Sequence, residues 1–151
     1  MSIGNEEIAG LVRPDSVHKR VYTDPEIFKL EMDRIYGQAW IYVGHESQVK
    51  NPGDYITSRI GDQDVIMTRD SDGKINVLYN RCAHKGAQLV SHGSGNAGKF
   101  LRCPYHAWAY KLSGELLAVP LRRGMEGTSF DKSHPDFSMR PLARVDSFCG
   151  F

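Results

Sequence analysis

The chain has 151 residues, 40% of them hydrophobic and 25% charged, which suits one domain of ordinary size whose core needs no disulfide staples. Nineteen Lys and Arg against eighteen Asp and Glu leave a formal charge of +1, without the basic excess of nucleic-acid or membrane-surface binders, so neither kind of partner is expected. No apolar run approaches the roughly 18 residues of a membrane span. The opening MSIGNEEIAGLVRPDS lacks a basic segment followed by an apolar one, and Glu6–Glu7 argues against a transit peptide, so a cytoplasmic location is expected.

Residues 1–22 are polar and read as extended. Thr23-Asp24-Pro25-Glu26 opens a helix, either with Thr23 as cap and Glu26 closing a capping box, or with Asp24 as cap and Pro25 in the first helical position. Phe28, Met32, Ile35, Tyr36 and Ala39 follow at helical spacing and predict one amphipathic helix ending near Gly37 or Trp40. Beyond it the period shortens, which sets a boundary between an arm and helix (1–40) and a β-rich domain (41–151). Strands are predicted at 40–43, 55–60, 63–69, 74–80, 99–102, 107–111, 115–119 and 142–146. Turns fall at Asn51-Pro52-Gly53-Asp54, Asp72-Gly73 and Ser113-Gly114. Strands this short and close imply an antiparallel sandwich or barrel. The stretches 91–98 and 121–140 read as irregular, the first flexible and the second long enough to be functional. The closing run Asp146–Phe151 looks like a strand beginning, as in a piece of a longer polypeptide.

Three cysteines, Cys82, Cys103 and Cys149, form an odd, low count that speaks for metal binding rather than a disulfide framework. Two of them stand in Arg81-Cys82-Ala83-His84-Lys85-Gly86 and Arg102-Cys103-Pro104-Tyr105-His106-Ala107-Trp108. This is C-x-H, eighteen intervening residues, then C-x-x-H, each half just after a predicted strand. Each half offers one thiolate and one imidazole. A Rieske [2Fe–2S] cluster uses that donor set, two cysteines on one iron and two histidines on the other. Cys82, His84, Cys103 and His106 are therefore the predicted ligands, the cysteines sharing one iron and the histidines the other. Neutral imidazoles in place of thiolates reduce the negative charge and raise the potential to about −150 to +300 mV, against roughly −400 mV for plant-type ferredoxins. Pro104 stiffens the second loop and Gly86 lets the first turn back. A structural Cys2His2 zinc module is the alternative from another class. Zinc sites usually space their cysteines by about two to four residues and their histidines by about three to five, which C-x-H does not match.

At these residues the chain resembles the N-terminal Rieske domain of ring-hydroxylating oxygenase large (α) subunits, whose motif is C-x-H-[KR]-G, a spacer, then C-x-Y-H-x-W. The glycine usual after the second histidine is Ala107 here. The resemblance implies a mainly β fold: a Rieske-type antiparallel β-sandwich with two cluster-binding loops, preceded by one N-terminal helix. It implies electron relay from a ferredoxin or reductase to a mononuclear Fe(II), held by two histidines and a carboxylate in a C-terminal domain, that activates O2 to hydroxylate an aromatic substrate. It also implies a trimer of α subunits, with or without a β subunit. The six histidines include no pair four or five apart, so a mononuclear site is not expected in these residues and no catalytic residue is assigned. A free-standing Rieske ferredoxin is the other electron-transfer reading, disfavoured by the long helical lead-in. Respiratory Rieske proteins add a cysteine pair and a serine where this chain has Ala87, Tyr105 and Trp108, so a potential at the low end of the Rieske range is expected.

Among other residues, Tyr110 reads as a hydrogen-bond donor to a cluster cysteine or as core, and Trp108 as packing over the second loop. His92 reads as a solvated loop residue or as one that tunes proton transfer near the cluster, His45 and His134 as surface residues, and Cys149 as a small buried one. Arg81, Lys85 and Arg102 read as solvated charges or as a surface for an acidic donor.

Overall fold

The computed structural model describes residues 3–120 and 122–151, which divide into two compact units, 1–41 and 42–151. The first unit is more structured than the polar sequence predicts. It begins with helix α1 (Asn5–Ala9), followed by strands β1 (Val12–Arg13) and β2 (Ser16–Val17), which pair antiparallel across Pro14-Asp15. Proline supplies the φ that such a turn needs, a local signal strong enough to fold a polar segment. Helix α2 (Arg20–Thr23) leads to α3 (Pro25–Glu31). Arg20 bonds Glu7 at 3.0 Å and Asp24 at 2.8 Å, joining the three helices.

Asp24, not Thr23, caps α3: its carboxylate accepts from the Glu26 N–H at 3.0 Å while the Thr23 hydroxyl donates to the Lys19 carbonyl. The single predicted helix changes pitch after Glu31, continuing as a π-helix over Met32–Tyr36 and stopping at Gly37. Phe28, Ile35 and Tyr36 of the predicted apolar stripe are exposed, and Ile27 is the buried residue instead.

The second unit is a mainly β fold of antiparallel sheets. Strands β3 (Asp54–Ile60), β4 (Gln63–Arg69), β5 (Ile75–Tyr79) and β6 (Ser94–Asn96) form one sheet in the order β5-β4-β3-β6. Strands β7 (Phe100–Arg102), β8 (Ala109–Lys111) and β9 (Leu116–Ala118) form a three-stranded sheet. Central strand β4 is buried on both faces. Val65 and Met67 pack with Val49, Ile56 and Val77 on one side. Ile66 packs with Leu78, Leu101, Tyr110 and Leu116 on the other, in the core between the sheets. Fully buried Thr68 ties the sheets together, its hydroxyl donating to the Leu112 carbonyl at 2.7 Å.

Several predicted boundaries shift. Residues 40–43 form no strand. Residues 142–146 form none either: pairing is limited to an isolated bridge of Leu78 with Pro141, flanked by the Tyr79 N–H on the Arg140 carbonyl and the Leu142 N–H on the Val77 carbonyl at 3.3 Å. The stretch 91–98 is not wholly irregular, since β6 pairs with β3 from Ser94 to Asn96. A Cβ on Gly95 would come within 2.7 Å of the Tyr55 hydroxyl, so this edge strand is built from small residues by backbone pairing, without an apolar pattern. In the stretch 121–140, short 3-10 turns occupy Arg122–Met125 and Pro135–Phe137, and Met139 is buried. At the C-terminus Phe148 and Phe151 exchange both backbone hydrogen bonds at 3.0 Å, which makes a reverse turn rather than a strand. Cys149, with φ +50° in that turn, is exposed and not buried as predicted.

Candidate metal centre

Two loops of matching construction leave the ends of β5 and β7. In the first, the Cys82 N–H bonds the Ala87 carbonyl at 2.8 Å and the Gly86 N–H bonds the Cys82 carbonyl at 2.9 Å. In the second, the Cys103 N–H bonds the Trp108 carbonyl at 2.8 Å and the Ala107 N–H bonds the Cys103 carbonyl at 3.0 Å. Each cysteine thus sits at the mouth of the same closed turn, and the residue four positions on takes a positive φ, +73° at Gly86 and +57° at Ala107. That conformation favours glycine, so alanine at 107 carries strain that Gly86 avoids.

The turns bring four predicted residues to one end of the unit. Cys82 and Cys103 are each 3% exposed and unbridged. His84 and His106 approach through their Nδ1 atoms, 3.1 Å apart, with ring planes at 71°. Two imidazole nitrogens each about 2 Å from a shared metal ion lie about 3 Å apart, so the facing Nδ1 atoms have the spacing of a ligand pair. Burial, then His106 and Lys85, push the His84 pKa below the ordinary imidazole value, which keeps the ring in the neutral form a metal needs. Two buried thiols and two facing imidazoles, one of each from either loop, are a donor set that fits a two-iron cluster, which takes its ligands in separate pairs.

Tyr110 is fully buried at the base of the loops, its hydroxyl 3.1 Å from Cys82 Sγ and 3.1 Å from the Ala83 N–H. The oxygen accepts from Ala83, which leaves the hydroxyl proton for the sulfur. Burial and the neighbouring Cys82 push the phenol pKa far up, so that proton stays in place. Trp108, 4% exposed, stacks on His84, and Tyr105, 67% exposed, stacks on His106. Arg81, Lys85 and Arg102 are exposed and, among the described residues, form no salt bridge, while the Arg81 guanidinium lies over the Tyr79 ring, 6.0 Å from its centroid. His92 and His134 are exposed, while His45 is half-buried and caps a 3-10 turn at Glu46–Gln48.

Sequence reasoning missed Asn80. Its buried side chain donates to the Val90 carbonyl at 2.7 Å and accepts from the Leu89 and Val90 N–H groups at 3.2 and 3.1 Å. This clamp closes the first loop from behind. A polar residue at the end of a strand beside the motif was the available signal. Also missed were Phe130 and Phe137, which meet Trp108 edge-on with centroids 6.2 Å away.

The fold and paired loops are those of an iron–sulfur domain, and comparison with known proteins makes the class definite. Residues 39–131 match the family described as the Rieske [2Fe-2S] domain, and the chain belongs to it. Membership in this family implies a [2Fe–2S] cluster. The chain is similar to the N-terminal part of oxygenase α subunits. It is 39% identical over 131 residues to the N,N-dimethyl phenylurea N-demethylase subunit alpha of Sphingobium sp. (strain YBL2), covering 87% of this chain and 28% of that protein. Naphthalene 1,2-dioxygenase from Rhodococcus sp., in its indole complex, superposes with TM-score 0.84 at 34% identity, covering 97% of this chain and 34% of that one. A quaternary ammonium Rieske monooxygenase gives TM-score 0.77 at 38% identity, covering 88% and 35%. The chain therefore spans about a quarter to a third of the length of these relatives.

Proposed function

We propose that this chain relays single electrons through a Rieske [2Fe–2S] cluster held by Cys82, His84, Cys103 and His106, with the cysteines on one iron and the histidines on the other. The observation that carries the reading is the pair of facing Nδ1 atoms, 3.1 Å apart, presented beside two buried, unbridged cysteines by loops of the same hydrogen-bond pattern. When bound, such a cluster takes up and gives back one electron at a potential set by its ligands and its surroundings. The chain's own residues prepare that surrounding. Tyr110 directs a proton at Cys82 Sγ, the closed turns hold both cysteine N–H groups, and Trp108 keeps water from one side of His84.

We further propose that the domain serves a longer Rieske non-haem iron oxygenase, an aromatic-ring-hydroxylating dioxygenase α subunit in which a ferredoxin or reductase is the donor. The acceptor is a mononuclear iron in a C-terminal domain, and the α subunits form a trimer. Similarity to a phenylurea N-demethylase subunit, a naphthalene dioxygenase and a quaternary ammonium monooxygenase supports the oxygenase setting, and two of the three names contain an aromatic group.

Electron paramagnetic resonance on dithionite-reduced protein, with iron and sulfide counted on the same sample, tests the cluster assignment. A rhombic signal of average g below that of all-cysteine [2Fe–2S] proteins, with two irons per chain, is the expected result. A silent sample containing zinc overturns the assignment.

A further inference from the structure

A metal-binding imidazole is ordinarily held in orientation by a hydrogen bond from its second ring nitrogen. An aromatic face can hold the ring as well: His84 lies against the Trp108 indole, centroids 4.8 Å apart and planes within 10°. His106 is supported differently, by the largely exposed Tyr105 at 3.7 Å and 29°.

Trp108 is itself fixed from two directions. Its carbonyl accepts the Cys103 N–H, which anchors it in the second loop. Its indole takes edge-on contacts from Phe130 and Phe137, at 67° and 64°, and those two rings meet each other at 4.8 Å. A continuous set of aromatic contacts therefore runs from the irregular stretch 121–140, through the second loop, to a histidine of the first.

We propose that Trp108 is a positioning residue that sets the plane of the His84 imidazole, and that Phe130 and Phe137 set the plane of the indole. The contacts of Phe130 and Phe137 with the indole also give the stretch 121–140 a role at the metal centre. Rotation of an imidazole about its metal–nitrogen axis changes the overlap of its π system with the metal orbitals, so the nitrogen hyperfine coupling reports the ring plane directly.

This inference rests on the cluster assignment above, and the test separates the two. In the reduced, cluster-loaded full chain, pulsed EPR resolves the couplings of the two histidine nitrogens. Trp108→Leu, similar in bulk to a core side chain but without a stacking face, is expected to shift one coupling and leave the other. Trp108→Phe, which keeps a face, is expected to restore most of the wild-type value. Phe130→Leu and Phe137→Leu, which act on the indole, are expected to shift the same coupling by less. Both couplings unchanged in Trp108→Leu at full iron content overturn the proposal. If Trp108→Leu loads no cluster, the two phenylalanine variants decide: a shift confined to one coupling supports it, and unchanged couplings overturn it. Wild-type protein lacking the Rieske signal refutes the cluster assignment instead.

Discussion

The Tyr110 hydroxyl lies 3.1 Å from Cys82 Sγ while accepting the Ala83 N–H, so a single buried phenol serves both the backbone and the sulfur of the first loop. A hydrogen bond to a ligating sulfur stabilises the more negative, reduced state. Tyr110→Phe keeps the ring and deletes the bond. The potential is expected to fall by on the order of 20–60 mV, the equivalent of about 0.5–1.5 kcal/mol for a one-electron couple. Spectroelectrochemical titration of the loaded protein measures it, and an unchanged potential shows that the hydroxyl does not act on the sulfur.

Asn80 holds the return of the first loop through three hydrogen bonds made from a site only 2% exposed. Asn80→Ala strands the buried Leu89 N–H and the part-buried Val90 N–H and carbonyl, at an expected cost of about 2–3 kcal/mol. Denaturant unfolding of the metal-free protein gives the stability, and iron content of the loaded protein is expected to drop with it.

Ala107 occupies a left-handed backbone conformation, φ +57°, at the position matching Gly86 of the first loop. Ala107→Gly relieves a strain of about 1 kcal/mol, partly offset by the greater freedom of glycine in the unfolded chain. The variant is expected to be slightly more stable than wild type, with its EPR signal unmoved. Lower stability shows that this turn tolerates alanine without strain.

His84 or His106 changed to Cys replaces a neutral donor with an anionic one. Any cluster that forms is expected to have the low potential of an ordinary ferredoxin, roughly −400 mV. A potential equal to that of the wild type removes the histidine in question from the ligand set.

The helix cap supplies a pH dependence. The Arg20 guanidinium, and after it the Glu26 N–H, hold the Asp24 carboxyl below its ordinary pKa. A folded-state pKa below the unfolded value of about 3.9 means that the contribution is complete above about pH 5 and is lost as pH falls through the depressed value. Amide exchange at Glu26 is expected to accelerate in acid, and Asp24→Asn to remove most of that dependence.

The cluster motif was legible because ligand chemistry is local: each loop carries its own cysteine, its own histidine and the residue that turns the chain back. Strands β3, β4 and β5 were legible because β-branched runs between Asn51-Pro52-Gly53-Asp54, Gly61 and Asp72-Gly73 leave little alternative. Strand β6 was not, since Ser94-Gly95-Asn96 has no pattern and exists by pairing with β3. Nor was the pitch change after Glu31, where helical spacing continues but the hydrogen bonds lengthen by one residue.

Read alone, the sequence named four candidate donors and their division between two loops, because residue type and spacing decide what a metal can be offered. Tertiary structure decided everything that depends on approach between distant segments. It brought His84 within reach of His106 across twenty-two positions and placed Tyr110 under Cys82. It also set Phe130 and Phe137 behind the tryptophan that supports a histidine. Those contacts join residues with no local pattern in common, so only the packing of the sheets could select them.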